Sequence, residues 1–150
     1  MDNSRTLYVI NFGRKMHENI IKEIEEKYKT IVIEEIVKVN LNLSKNLYIQ
    51  IIDIINTIPR NLLDGNKKIC INFPGLPIAA AYILVELHAK LGYFPLGLEL
   101  YRTREDDPIF NNWQLKKITD LEYERSRSRS KMFSPEDELL YAGNGLAEFK

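Results

Sequence analysis

Two segments of this chain carry the same three residues, and both have polar groups that could bind a nucleotide. Ile-Asn-Phe occurs at residues 10–12 and again at 71–73, each time at the end of an apolar stretch typical of a β-strand. An Asn side chain donates and accepts hydrogen bonds, so Asn11 and Asn72 could contact an adenine edge or a ribose hydroxyl. Each Asn could instead close its own turn, which is a common role of this residue.

The loops that follow these two segments add glycines and cations. A glycine lets a ligand approach the backbone closely, and cations near the start of a helix are unfavourable unless an anion lies beside them. The pattern is therefore typical of an anion site, although a solvated pair of cations would look the same. The predicted ligand-binding residues of the two loops are Asn11, Phe12, Gly13, Arg14, Lys15, Asn72, Phe73, Pro74, Gly75 and Leu76.

No catalytic or metal site can be assembled from the remaining polar residues. The sequence has no Ser-His-Asp order, Cys/His pair, clustered metal ligands, Walker loop or Gly-x-Gly-x-x-Gly motif. His88 falls about 15 Å along its predicted helix, toward the opposite edge of the sheet. We predict no metal, no cofactor and no catalytic residue, unless His17 acts as an acid or base. The lone Cys70 lies in an apolar strand pattern that favours a small core residue over a reactive thiol.

Alternating strand and helix patterns predict an α/β fold that brings the two loops together. The strand-forming stretches are residues 6–12, 30–39, 68–73 and 96–101. The helical periodicity between them predicts a Rossmann-like, mainly parallel sheet in the order 2-1-3-4, with helices on both faces. Strands one and three then border one crevice at their carboxyl ends, where open α/β sheets bind ligands. Arg102 and Arg104 follow strand four at the same edge and could reach outer phosphates.

Capping signals place the helices and a C-terminal extension. Ser44 is a candidate N-cap for the second helix, while Pro77 and Gly92 suit the start and end of the third. Thr119 with Glu122 matches a capping box that would start a C-terminal helix.

The rest of the C-terminal region is less regular. Trp113 with Leu115 predicts either a short edge strand or a packed loop, and Ser134 would start a further short helix. Arginines at positions 125, 127 and 129 form either a solvated helix end or a phosphate clamp. We predict a ligand-binding core over residues 1–118 and a helical extension with a tail over 119–150.

Composition narrows the class of protein and its partners. A chain of 150 residues with 45% apolar content is long enough for one well-buried core. Its 21 basic and 21 acidic residues give a formal net charge of zero, which disfavours a long nucleic acid as partner. The first residues are not an apolar signal segment, and no apolar run is long enough to span a membrane. We predict a cytoplasmic protein with no membrane partner.

Several motifs resemble one known family. They are the Asn-Phe ending of strand one, the Phe-Pro-Gly-Leu-Pro turn at residues 73–77, and residues 79–95, in which Glu-Leu-His at 86–88 precedes Leu-Gly-Tyr-Phe-Pro at 91–95. Over about residues 6–104, these motifs resemble the small CRISPR-associated accessory proteins of type III systems called the Csx-fifteen family.

The resemblance implies a Rossmann-like homodimer, similar to the CARF-like domains that sense cyclic oligoadenylates. These ligands are ring-shaped RNA second messengers of antiviral defence. The implied ligand is cyclic tetra-adenylate, which the protein would sequester to damp the signal. A metal-independent ring nuclease acting on the same ligand, with His17 as the candidate acid or base, is one alternative. A non-catalytic protein-interaction dimer is another, and an enzyme acting on a small phosphorylated substrate is a third.

Overall fold

The computed structural model describes residues 5–102 and 113–133, which form an α/β fold. The elements in chain order are β1 (Thr6–Asn11), α1 (Glu18–Tyr28), β2 (Ile31–Ile36), α2 (Leu47–Ile55), β3 (Lys68–Asn72), α3 (Pro77–Leu91), β4 (Leu96–Arg102), β5 (Trp113–Asp120) and α4 (Leu121–Phe133). A short 3-10 turn at Arg60–Leu62 lies between α2 and β3.

The strands form a five-stranded sheet in the order β2-β1-β3-β4-β5. The first four strands are parallel, and β5 pairs antiparallel with β4 at the edge. The predicted order of the parallel strands is therefore confirmed, and the segment around Trp113 is an edge strand. Asn11 and Asn72 are register partners on adjacent strands, so the two Ile-Asn-Phe segments lie side by side.

Helices cover both faces of the sheet and create two clusters of buried side chains. On one face, α2 and α3 pack against Ile10 and Ile71 of the central strands. On the other, Ile20 and Ile24 of α1 pack with residues of β1, β3, β4 and β5. Cys70 is fully buried in this second cluster, as the strand pattern predicts.

Two predicted caps are wrong, and each has a local reason. Asn46 caps α2 because its side-chain oxygen accepts a hydrogen bond of 3.1 Å from the Ile49 amide, while Ser44 bonds to Asn42 instead. Thr119 does not cap α4, because β5 continues through Asp120 and the Thr119 hydroxyl donates to Glu99 on β4.

Other boundaries follow the sequence signals. Pro77 is the first residue of α3, and Gly92 ends that helix in the left-handed conformation, with φ of 81°. Strand β2 ends at Ile36, three residues before the end of the predicted stretch at residue 39. The predicted helix starting at Ser134 lies outside the described residues.

The chain divides at Asp120 into two compact units. In the second unit, α4 is polar and carries two i,i+3 ion pairs, Glu122 with Arg125 and Glu124 with Arg127. Its arginines are exposed, which favours a solvated helix over a phosphate clamp. The assignment of a ligand-binding core and a separate extension stays a prediction. None of the helices within the described residues is long and apolar enough to cross a membrane.

Candidate functional site

The Asn11 side chain lies at the centre of a hydrogen-bond network at the carboxyl ends of β1 and β3. It is fully buried. Its Nδ2 donates to the Glu34 carboxylate at 2.7 Å and to the Arg14 carbonyl at 2.8 Å. Its Oδ1 accepts from the Gly13 amide at 2.9 Å and from Nδ2 of Asn72 at 2.8 Å. Because both donors and both acceptor positions are used, this amide holds the loop and has no capacity left for a ligand.

Glu34 is a member of this network that the sequence analysis did not single out. It lies on β2 opposite Val9, with its side chain half-buried on the α1 face of the sheet. The same carboxylate oxygen that accepts from Asn11 also accepts from the Met16 amide at 3.3 Å. The sequence does contain a signal for such a role: Glu34 is a charged residue inside a strand of β-branched residues. A carboxylate that is partly buried in a sheet needs hydrogen-bond partners.

Asn72 differs from Asn11 in how its amide is used. The residue is 9% exposed, and the one hydrogen bond that its side chain makes within the described residues is the donation from Nδ2 to Oδ1 of Asn11. Its Oδ1 and its second N–H therefore have no partner within the described residues. No fully buried side-chain nitrogen or oxygen in that part of the chain lacks a partner, so the unpaired Oδ1 is not fully buried. Asn72 lines a groove at this edge of the sheet.

That groove has a volume of about 620 Å³ and is larger than a second groove at this edge of the sheet, which also lies among the described residues. Leu98 and Leu100 of β4 and Trp113 of β5 form an apolar wall, and Arg14 and Lys15 also line it. The volume falls within the range of small-molecule sites, which are mostly apolar with a few polar groups. Phe73 lines this groove as well.

The second groove has a volume of about 410 Å³ and opens between the end of β2 and the start of α3. It is bordered by Lys38, which the sequence analysis did not select, and by the predicted residues Phe12, Pro74 and Leu76. Arg14 lines both grooves and is exposed between them.

Gly13 and Gly75 also belong to both grooves, but for different reasons. A Cβ on Gly13 would lie 3.1 Å from the Phe73 carbonyl oxygen and 3.2 Å from Nδ2 of Asn72, so glycine lets the two loops meet. A Cβ on Gly75 would have no atom within 4 Å. Packing does not require glycine at position 75, and any side chain there would project into open space beside the grooves.

The other predicted residues lie outside the two grooves. His17 is the N-cap of α1, where its Nδ1 accepts a hydrogen bond of 3.2 Å from the Asn19 amide. Its side chain is exposed and lines neither groove, and α1 begins one residue after it. Arg102 is exposed at the end of β4, opposite Trp113, and lines neither groove. Arg104 lies outside the described residues.

The reactive groups of the described residues and the lining of the two grooves can be compared directly. Burial raises the pKa of the Cys70 thiol to about 12, so this residue is not a nucleophile at neutral pH. Within residues 5–102 and 113–133, no group of three or more His, Cys, Asp or Glu side chains could hold a metal ion. What the grooves offer is local positive charge, an apolar wall and one partly unpaired amide.

No protein-family model, curated protein or solved structure matches this chain.

Proposed function

We propose that this protein binds cyclic tetra-adenylate at a homodimer interface and sequesters it, which would damp type III CRISPR signalling. The observation that supports binding most strongly is the larger groove, where the unpaired edge of Asn72 lies with Arg14, Lys15 and an apolar wall. A ring of four adenylates has phosphates, hydroxyls and bases that need cations, hydrogen bonds and stacking surfaces. The identity of the ring comes from the resemblance of the sequence to the Csx-fifteen family.

The chain has a net charge of zero, but both grooves are lined by cations. This local positive charge supports a ligand that is rich in phosphate. Arg14 lines both grooves, Lys15 lines the larger one and Lys38 lines the smaller one. A sugar-phosphate backbone that crosses between the grooves would pass over Gly13 and Gly75, close to Arg14. Such contacts make affinity depend on salt concentration.

An exposed apolar face on α3 supports the homodimer. Ile78 and Val85 are 44% and 56% exposed, and their spacing places them on one side of the helix with Ala81. Leu76, at the start of the same helix, is 38% exposed and borders the smaller groove. A second copy packed on this face would bring two sets of grooves together about a two-fold axis.

Binding without turnover is the function that the geometry supports best. His17, the candidate acid or base of a ring nuclease, lines neither groove, so no observation favours acid–base catalysis there. Cleavage by positioning of a 2′-hydroxyl alone stays an alternative, because orientation can accelerate a reaction without a dedicated base.

Thermal shift against cyclic tri-, tetra- and hexa-adenylate tests the proposal. We expect the tetra-adenylate ring to raise the melting temperature, because a ligand that binds only the folded state stabilises it. The variant Gly75→Val should melt like the parent without ligand but show a much smaller shift with it, because its side chain enters the space between the grooves. Asn56→Ala, on an exposed residue at the end of α2, is the matched control. No shift with any ring would contradict the proposal.

A further inference from the structure

Asn11 and Asn72 end adjacent strands with the same side chain, but they differ in what they can offer a ligand. Asn11 uses both donors and both acceptor positions within the protein. The Asn72 side chain makes one hydrogen bond within the described residues, so its Oδ1 and one N–H have no partner there, although the residue is only 9% exposed. Leaving a polar group this deep without a protein partner is unfavourable unless water or a ligand satisfies it.

The amide of Asn72 is also fixed in orientation before any ligand binds. Oδ1 of Asn11 is identified as the acceptor because the Gly13 amide donates to it, while Nδ2 of Asn11 faces the acceptors of Glu34 and Arg14. Asn72 must therefore turn its Nδ2 toward Asn11. An exposed Asn can rotate its amide by half a turn to suit either a donor or an acceptor, but Asn72 cannot do so without losing this bond.

The surroundings of the unpaired atoms suit a flat aromatic base. Asn72 lines the groove of about 620 Å³ together with Leu98, Leu100 and Trp113, whose apolar surfaces can contact a ring face. Arg14 and Lys15 line the same groove and can contact a phosphate of the same nucleotide.

We propose that Asn72 is the residue that distinguishes a 6-amino purine from a 6-oxo purine in the larger groove. Its Oδ1 accepts a hydrogen bond from the 6-amino group of adenine. A 6-oxo base would instead face this oxygen with a second acceptor, and the fixed amide could not rotate to relieve the repulsion. This inference rests on the proposed function, since it assigns base selectivity within the same site.

Two rings that share one sugar-phosphate backbone provide the test: cyclic tetra-adenylate and cyclic tetra-inosinate, which carries 6-oxo bases. Calorimetric titrations of the parent should give at least about tenfold tighter binding of the adenylate ring. Asn72→Ala should bring the ratio of the two affinities close to one. Asn56→Ala, at a residue that does not line the groove, should keep the parental ratio.

The ratio of affinities separates base selectivity from a general loss of binding. Equal binding of both rings by the parent would overturn the role of Asn72 while leaving the proposed function standing, whereas binding of neither ring would overturn both. A parental ratio in Asn72→Ala would mean that another residue distinguishes the bases. If Asn72→Ala does not fold, Asn72→Ser keeps an O–H donor for Asn11, and the same loss of selectivity is expected.

Discussion

Asn11 and Asn72 are joined across neighbouring parallel strands by a hydrogen bond of 2.8 Å from Nδ2 of Asn72 to Oδ1 of Asn11. This bond connects the two loops that follow the strands, and the Phe12 amide extends the contact by donating to the Asn72 carbonyl at 2.9 Å. The two copies of the Ile-Asn-Phe tripeptide therefore have different roles. Asn11 supports the loop, whereas Asn72 lines the larger groove and its Oδ1 has no partner within the described residues.

Glu34 should be a stabilising residue, whereas its neighbour Glu35 should not. Glu34→Ala removes the carboxylate that accepts from Asn11 and from the Met16 amide, leaving a buried donor unpaired. We expect a loss of about 1–3 kcal/mol in the free energy of unfolding, measured by urea denaturation. Glu35→Ala is the matched control and should change it by less than about 0.5 kcal/mol. Equal effects of the two substitutions would contradict the role of Glu34.

The two loop glycines should respond in opposite ways to the addition of a methyl group. Gly13→Ala forces a Cβ against the Phe73 carbonyl and the Asn72 amide, at 3.1 and 3.2 Å, and should destabilise the fold by about 1–3 kcal/mol. Gly75→Ala meets no atom within 4 Å, and Gly75 does not have positive φ. It should leave stability unchanged or raise it by up to about 1 kcal/mol. Thermal melts measure the stability of the two variants. A lower melting temperature for Gly75→Ala than for Gly13→Ala would contradict this prediction.

The cations of the first loop should contribute to ligand affinity through phosphate contacts. Arg14→Ala or Lys15→Ala should weaken binding of cyclic tetra-adenylate and make it less sensitive to salt, because each removes one charge near the phosphates. Lys45→Ala, an exposed cation beyond the grooves, should leave the salt dependence unchanged. Titrations at several salt concentrations measure the slope. If both loop variants keep the parental dependence of affinity on salt, the phosphates do not lie near Arg14 and Lys15.

Burial of Cys70 should make folding stability fall at alkaline pH. The pKa of this thiol rises from 9.0 to about 12, so the folded state keeps a proton that the unfolded state releases. The stabilisation is present below pH 9.0 and is lost as the pH rises toward about 12. At about pH 10.5 the parent should have lost about 2 kcal/mol that Cys70→Ala does not lose. Urea denaturation of both proteins at about pH 8 and about pH 10.5 measures the change in the free energy of unfolding. An equal change in the parent and in Cys70→Ala would contradict a buried thiol.

The sequence predicted the fold well because strand and helix periodicity are local signals. The order of the parallel strands followed from right-handed crossovers between them. The position of Asn11 and Asn72 at one edge followed in turn, since both end neighbouring strands. What could not be predicted was which Asn would keep free atoms. That difference depends on Glu34, a residue 23 positions away from Asn11 that reaches it only through strand pairing.

The two wrong caps show the same limit, and the role of His17 as a candidate acid or base of a ring nuclease stays untested. Ser44 and Thr119 have the right residue types, but competing hydrogen bonds with Asn42 and Glu99 occupy them. His17 is near the site in sequence, yet its role as the N-cap of α1 leaves it outside both grooves. Lys38 was missed because a single lysine after a strand carries no distinctive pattern.

Calorimetry of the parent protein with cyclic tetra-adenylate, at concentrations well above the dissociation constant, tests the proposed function most directly. A four-fold ring on a two-fold axis presents equivalent halves to two subunits, so we expect one ring per two chains. Ligand binding should also suppress dimer dissociation by mass action. The ring should be recovered intact when the complex is denatured. No binding, or one ring per chain with unchanged dimer dissociation, would contradict a ligand shared between two subunits.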